Sequence, residues 1–168
     1  MKKHRKFATV DYTIRIEQAY LDLEIDSVIL NNNMVSFYEY ASFNFTKENG
    51  DTVLCRLHIG DVISIKLEEG ENFAMIKAIF SHKQEYYNLQ FAFIIVDWFE
   101  DMSQQMLGCP IFKLRKTSTW RKLFSINLVD SINSVLFVHY CKGDECTGSD
   151  HDSGNALYMR NAYFFKAV

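Results

Sequence analysis

The chain has 168 residues, 48% of them hydrophobic and 23% charged, which suits one domain with a packed interior and not a disordered chain. A formal net charge of -3 excludes a whole-domain basic footprint for nucleic acid, so any such contact must come from a local patch. The four cysteines form no CxxC pair and read as free thiols of a reducing compartment; no apolar run approaches the ~18 residues of a membrane span, and no signal core follows the basic start MKKHRK.

Fourteen Phe, nine Tyr and a single Pro, Pro110, favour pleated surfaces over helices. Residues 8–17 alternate, with Val10, Tyr12, Ile14 and Ile16 on one face of a strand. Ala19, Leu21, Leu23 and Ile25 repeat the pattern, whereas a helix over 14–25 would carry charges on every side. Residues 1–34 are therefore expected to form a two-stranded extension that closes at Asn31-Asn32-Asn33, with the main domain over 35–168. Residues 35–45 (VSFYEYASFNF) predict an aromatic strand, and Glu48-Asn49-Gly50-Asp51 a hairpin turn. Strands follow at 53–59 and 61–67, broken by Gly60-Asp61, and a turn at 68–72. Residues 73–80 (FAMIKAIF) and 91–99 (FAFIIVDWF) are almost continuously apolar, as in strands buried on both faces at the centre of a closed barrel. The polar segment Ser81 to Leu89 is expected as a loop, and 100–122 as the least regular stretch. Strands resume at 123–129, 134–141 and 157–166, separated by a Gly/Asp/Ser-rich loop at 143–155.

Enzyme signatures are missing: no G-x-S-x-G elbow, no H-E-x-x-H, no phosphate-cradling glycine loop. Glu100 and Asp101 are adjacent on a strand and point to opposite faces, which makes them a poor acid/base pair. The chain reads as non-catalytic, with no cofactor expected. His139 and Cys141 share a strand face, and Cys146 and His151 from the next loop could complete a zinc tetrahedron. Against this, Cys141 also fits a core position at the end of an apolar strand, and the spacing matches no established zinc module. Lys113, Arg115, Lys116, Arg121 and Lys122 surround Trp120; they could meet DNA phosphates or an acidic protein surface, or form a solvated loop anchored by the indole. Trp98 ends an apolar strand. It could wall a cage for a cation at a barrel mouth or cap the core.

Several stretches occur in the order found in one family. Residues 37–43 (FYEYASF) resemble the aromatic opening strand of the BAH (bromo-adjacent homology) domain, and 57–65 (LHIGDVISI) its "vGDxVyv" element. Residues 73–79 (FAMIKAI) resemble "xvArIxxI", 95–100 (IVDWFE) "vxWfyRPeet", 123–141 "vxpxxxIxgkCxV", and 157–165 (LYMRNAYFF) the closing "dFxcrxxYd". The resemblance covers about 35–168. It implies a mostly β fold, a distorted β-barrel with long loops, acting as a non-catalytic interaction module of nuclear chromatin proteins on nucleosomes or histone tails. It further implies a ligand-binding site at Asn72, Trp98 and Glu100, where caged members of the family carry aromatics; only Trp98 is aromatic here. Phe73 and Phe99 are expected on the opposite face. A β-barrel nucleic-acid binder using the basic 113–122 segment is the alternative, and a small zinc-stabilised domain a second one.

Overall fold

The computed structural model describes residues 35–46, 50–66, 71–84, 89–115, 121–131, 137–140 and 157–161, together with Ala19 and Tyr20. The chain is mostly β, and its main antiparallel sheet curls into half of a barrel. Among the described residues eleven strands follow in order: β1 (Val35–Tyr38), β2 (Tyr40–Thr46), β3 (Thr52–His58), β4 (Val62–Lys66), β5 (Glu71–Gln84), β6 (Leu89–Met106), β7 (Cys109–Arg115), β8 (Arg121–Ser125), β9 (Val129–Ser131), β10 (Phe137–Tyr140) and β11 (Leu157–Arg160). The large sheet runs β10-β11-β7-β6-β5-β4-β9, with β1 also on β5 and β8 also on β6, while β2 and β3 form a separate hairpin.

Turn chemistry sets the early register. The β2–β3 hairpin pairs Thr46 with Thr52 across the expected turn, and Gly50 there has φ 87°. Gly60, between β3 and β4, has φ 95°, a backbone that strains any L side chain even though a Cβ would meet nothing within 4 Å. Its amide donates to the Ile76 carbonyl at 2.8 Å, and the Asp61 carboxylate caps the His58 amide at 2.7 Å.

The two apolar runs become the central strands and are buried on both faces. On one face Ala74, Ile76, Ile79, Ile94 and Val96 pack with Ile63, Ile65, Ile126 and Val129, under Leu57, Ala41 and Phe43 of the separate hairpin. On the other face Phe80, Phe93 and Ile95 meet Ala19 and Tyr20 at one end, and Phe73, Phe99, Phe112 and Leu114 meet Phe137 and Tyr158 at the other. Fully burying an aliphatic or Phe side chain of this size contributes about 1.5–3 kcal/mol by transfer, so these three clusters dominate the fold's stability.

Three expectations are corrected. Ser81 to Leu89 is not a loop throughout: β5 runs to Gln84 and β6 begins at Leu89, with Ser81 and His82 buried. Each polar side chain finds a distant partner. The Ser81 hydroxyl accepts from Gln90 Nε2 at 2.6 Å and lies 3.2 Å from the Tyr38 hydroxyl, and Tyr20 Oη is 2.7 Å from His82 Nδ1. Nor is the described part of 100–122 irregular: β6 continues to Met106, turns at Leu107-Gly108 and returns as β7 to Arg115. Finally, Ala19 and Tyr20, at the start of the strand expected over 19–25, carry helical backbone, and residues 21–25 lie outside the described residues. Both are under 2% exposed. A strand lying on a sheet covers only alternate residues, whereas neighbours on a helix can be covered together. The strand expected at 8–17 lies outside the described residues.

Candidate functional site

β6 outruns its neighbours, and this creates the site. Its ladder with β5 ends at the pair Ala74–Trp98. Beyond that point β5 stays with β4, pairing Phe73 with Ser64 and Asn72 with Ile65. β6 stays with β7, pairing Phe99 with Leu114 and Glu100 with Lys113. The sheet forks, and a pocket of about 400 Å³ opens in the fork, lined by Asn72, Phe73, Trp98, Phe99, Glu100, Asp101, Pro110, Phe112 and Arg160.

The three residues expected to form a ligand site, Asn72, Trp98 and Glu100, thus line one pocket. The alternation rule places Phe73 and Phe99 on the opposite face from Trp98, and they do pack in a different core cluster. They nevertheless line the same pocket, because a fork lets both faces reach one cavity. Phe112 and Arg160 also join it, and neither was a candidate. The cue in the sequence is slight: Phe112 follows Pro110 in the stretch that looked least regular.

Two arginines occupy the chemistry of this pocket. Arg115 donates from Nε to Glu100 Oε2 at 2.6 Å and contacts the same oxygen through Nη2. The Arg160 guanidinium carbon lies 4.5 Å from the centroid of the Phe73 ring. Phe73 in turn meets Phe112 edge-on at 5.6 Å, and Trp98 is tilted against Phe124 at 6.0 Å, which ties its indole to the core as well as to the pocket. At the rim, Asp101 Oδ1 accepts from the Ser103 amide at 2.7 Å. Ser103 has φ 52° and sits in the bulge where the β6–β7 register slips between Asp101 and Gln104.

The basic cluster is split. β7 and β8 lie end to end along one edge of β6, Arg115 opposite Trp98 and Arg121 opposite Asp97. Lys113 and Arg115 are half-buried beside Glu100, and Lys122 is exposed. Lys116, Trp120 and the side chain of Arg121 lie outside the described residues. Of the zinc candidates, His139 packs edge-on to Tyr158 at 5.5 Å. Cys141, Cys146 and His151 lie outside the described residues, and among those described no three potential metal ligands cluster.

One further buried acid, Asp97, is completely covered and lies 4.0 Å from Lys77 Nζ. Lys77 is the extra residue of the bulge between Ile76 and Ala78. Among the described residues no helix is long and apolar enough to cross a membrane. No family model and no curated protein sequence matches this chain.

Proposed function

We propose that this chain is a non-catalytic interaction module of a nuclear, chromatin-associated protein, and that it takes a basic peptide of histone-tail type at the fork pocket. The observation that carries the reading is the convergence of Asn72, Trp98 and Glu100 on one cavity. The ordered BAH-like stretches add to it. The cavity's volume is at the lower end of the range for small-ligand pockets, enough for one long side chain and not for a globular partner. Its aromatic walls and the carboxylates of Glu100 and Asp101 suit a cation: ring faces attract ammonium or guanidinium groups by about 0.5–2 kcal/mol, and a carboxylate adds a charge-assisted hydrogen bond.

A panel of histone-tail peptides and reconstituted nucleosomes, titrated against the purified chain, tests the reading. At least one should bind, and Trp98→Ala should weaken that binding roughly two- to thirty-fold, the equivalent of one aromatic wall. An empty panel, or binding indifferent to Trp98→Ala, removes it.

A further inference from the structure

Two of the groups that would receive a cation in the fork pocket already hold one of the chain's own. The Glu100 carboxylate is engaged by Arg115, from the strand directly beside it. The ring of Phe73 is covered by Arg160, which reaches in from the last residue of β11. The two are not equivalent. Arg115 belongs to β7, which is paired along its length with β6. Arg160 ends a four-residue strand; it is paired with Phe137 of β10, but the register with β7 stops at Leu157, Tyr158 and Met159, and its guanidinium extends past that ladder to the pocket.

We propose that the fork pocket is a cation site closed from within, with Arg160 as a displaceable occupant of the Phe73 face. The inference rests on the reading of this pocket as a binding site. Its ligand class is a guanidinium or alkylammonium group that stacks where Arg160 stacks. An incoming cation competes with Arg160, so apparent affinity is lowered by the fraction of time the face is taken. β11 is thereby coupled to ligand binding: whatever shifts the end of that strand opens the pocket.

Methylguanidinium chloride is the probe, read by its effect on the indole N–H resonance of Trp98, assigned with Trp98→Phe. Arg160→Gln should bind the probe about ten-fold more tightly than wild type, the gain expected if Arg160 holds the face about nine-tenths of the time. Phe73→Leu added to Arg160→Gln should abolish the gain. Arg160→Lys keeps the charge and loses the planar stack; it should bind several-fold more tightly than wild type, and it serves as the test if Arg160→Gln does not fold. Equal or weaker binding by the Arg160 variants, or no binding by any of them, overturns the inference. Histone-tail peptides that bind wild type and Arg160→Gln alike would sink this inference and leave the proposed function standing. A probe that enters Arg160→Gln while no peptide binds would do the reverse.

Discussion

Phe137 of β10 lies almost flat on Phe99 of β6, ring centroids 4.3 Å apart and planes 24° apart, although β11 and β7 separate their strands in the sheet. Strands three places apart in a flat sheet are about 14 Å apart. The contact therefore requires the sheet to curl through much of a half-turn, and it fixes the wall against which the fork pocket forms. Tyr158 meets the same Phe99 ring edge-on at 5.4 Å, and Phe112 meets Phe137 at 5.2 Å, so the curl is held by an aromatic cluster.

Removing the hub of that cluster should loosen the curl. Phe99 is 3% exposed, and Phe99→Ala should destabilise the fold by about 3–5 kcal/mol, the usual range for a buried Phe emptied to Ala. Phe99→Leu, which keeps most of the volume, should lose less than half of that. Urea unfolding followed by far-UV circular dichroism measures both. A loss under about 1 kcal/mol for Phe99→Ala would mean that the β10–β11 pair does not depend on this ring.

The turn joining β6 to β7 carries a correctable strain. Leu107 and Gly108 both have positive φ, 52° and 77°, and sit between the paired residues Met106 and Cys109. Two central residues with positive φ make a type I′ turn, whose favoured sequence is Asn-Gly. Leu107 meets the condition at a steric cost and leaves its side chain 82% exposed. Leu107→Asn should therefore stabilise the chain by about 0.5–1.5 kcal/mol, seen as a raised urea midpoint. A lowered midpoint would show that Leu107 has apolar contacts worth more than the relief of strain.

The same region shows what sequence reading can and cannot reach. Gly50 and Gly60 were legible as turns because a positive φ has a residue-type signature. The double-sided burial of β5 and β6 was legible because continuous apolar runs leave no polar face. Ser81 and His82 were not, since what keeps them in a buried strand is a set of hydrogen bonds to Tyr38, Gln90 and Tyr20, two of them more than forty residues away in sequence. Asn72 and Glu100 are legible only through a family resemblance, and Trp98 also through its place at the end of an apolar strand. Phe73, Phe99, Phe112 and Arg160 were missed because alternation assumes an unbroken ladder, and the pocket exists where the ladder breaks.

The Arg115–Glu100 pair should matter little for stability. Both side chains are about one-third exposed, and pairs so placed contribute roughly 0–1 kcal/mol because water already solvates the separated charges. Arg115→Met should cost less than about 1 kcal/mol in low salt and less still near ~0.5 M salt, where screening is stronger. Unfolding curves at the two ionic strengths measure this. A salt-independent cost well above 1 kcal/mol would instead indicate that the aliphatic stem of Arg115 packs on its cross-strand neighbour Trp98.

Tyr20 provides a test that depends on pH. Its hydroxyl is buried against His82 Nδ1 at 2.7 Å, and its ring meets Phe91 and Phe93 edge-on. Tyr20→Phe keeps the ring contacts and removes the hydroxyl, leaving a buried imidazole nitrogen without this bond, so it should cost about 1–3 kcal/mol at neutral pH. Burial pushes the Tyr20 hydroxyl up from 10.0 to about 12. The folded state thus holds this proton more tightly than the unfolded chain, and the contribution of the hydroxyl is fully present below pH 10. From there it falls as pH rises towards 12, by about 1.4 kcal/mol per pH unit, because the unfolded chain has ionised and the folded one has not. The difference in stability between wild type and Tyr20→Phe should therefore be constant from pH 7 to 9, shrink by pH 11, and vanish or reverse near pH 12. Every other ionisable group is common to both proteins and cancels in the difference. A difference that stays constant through pH 11 would mean that Tyr20 ionises as easily in the folded chain as in the unfolded one, and that the residue does not seal this end of the sheet.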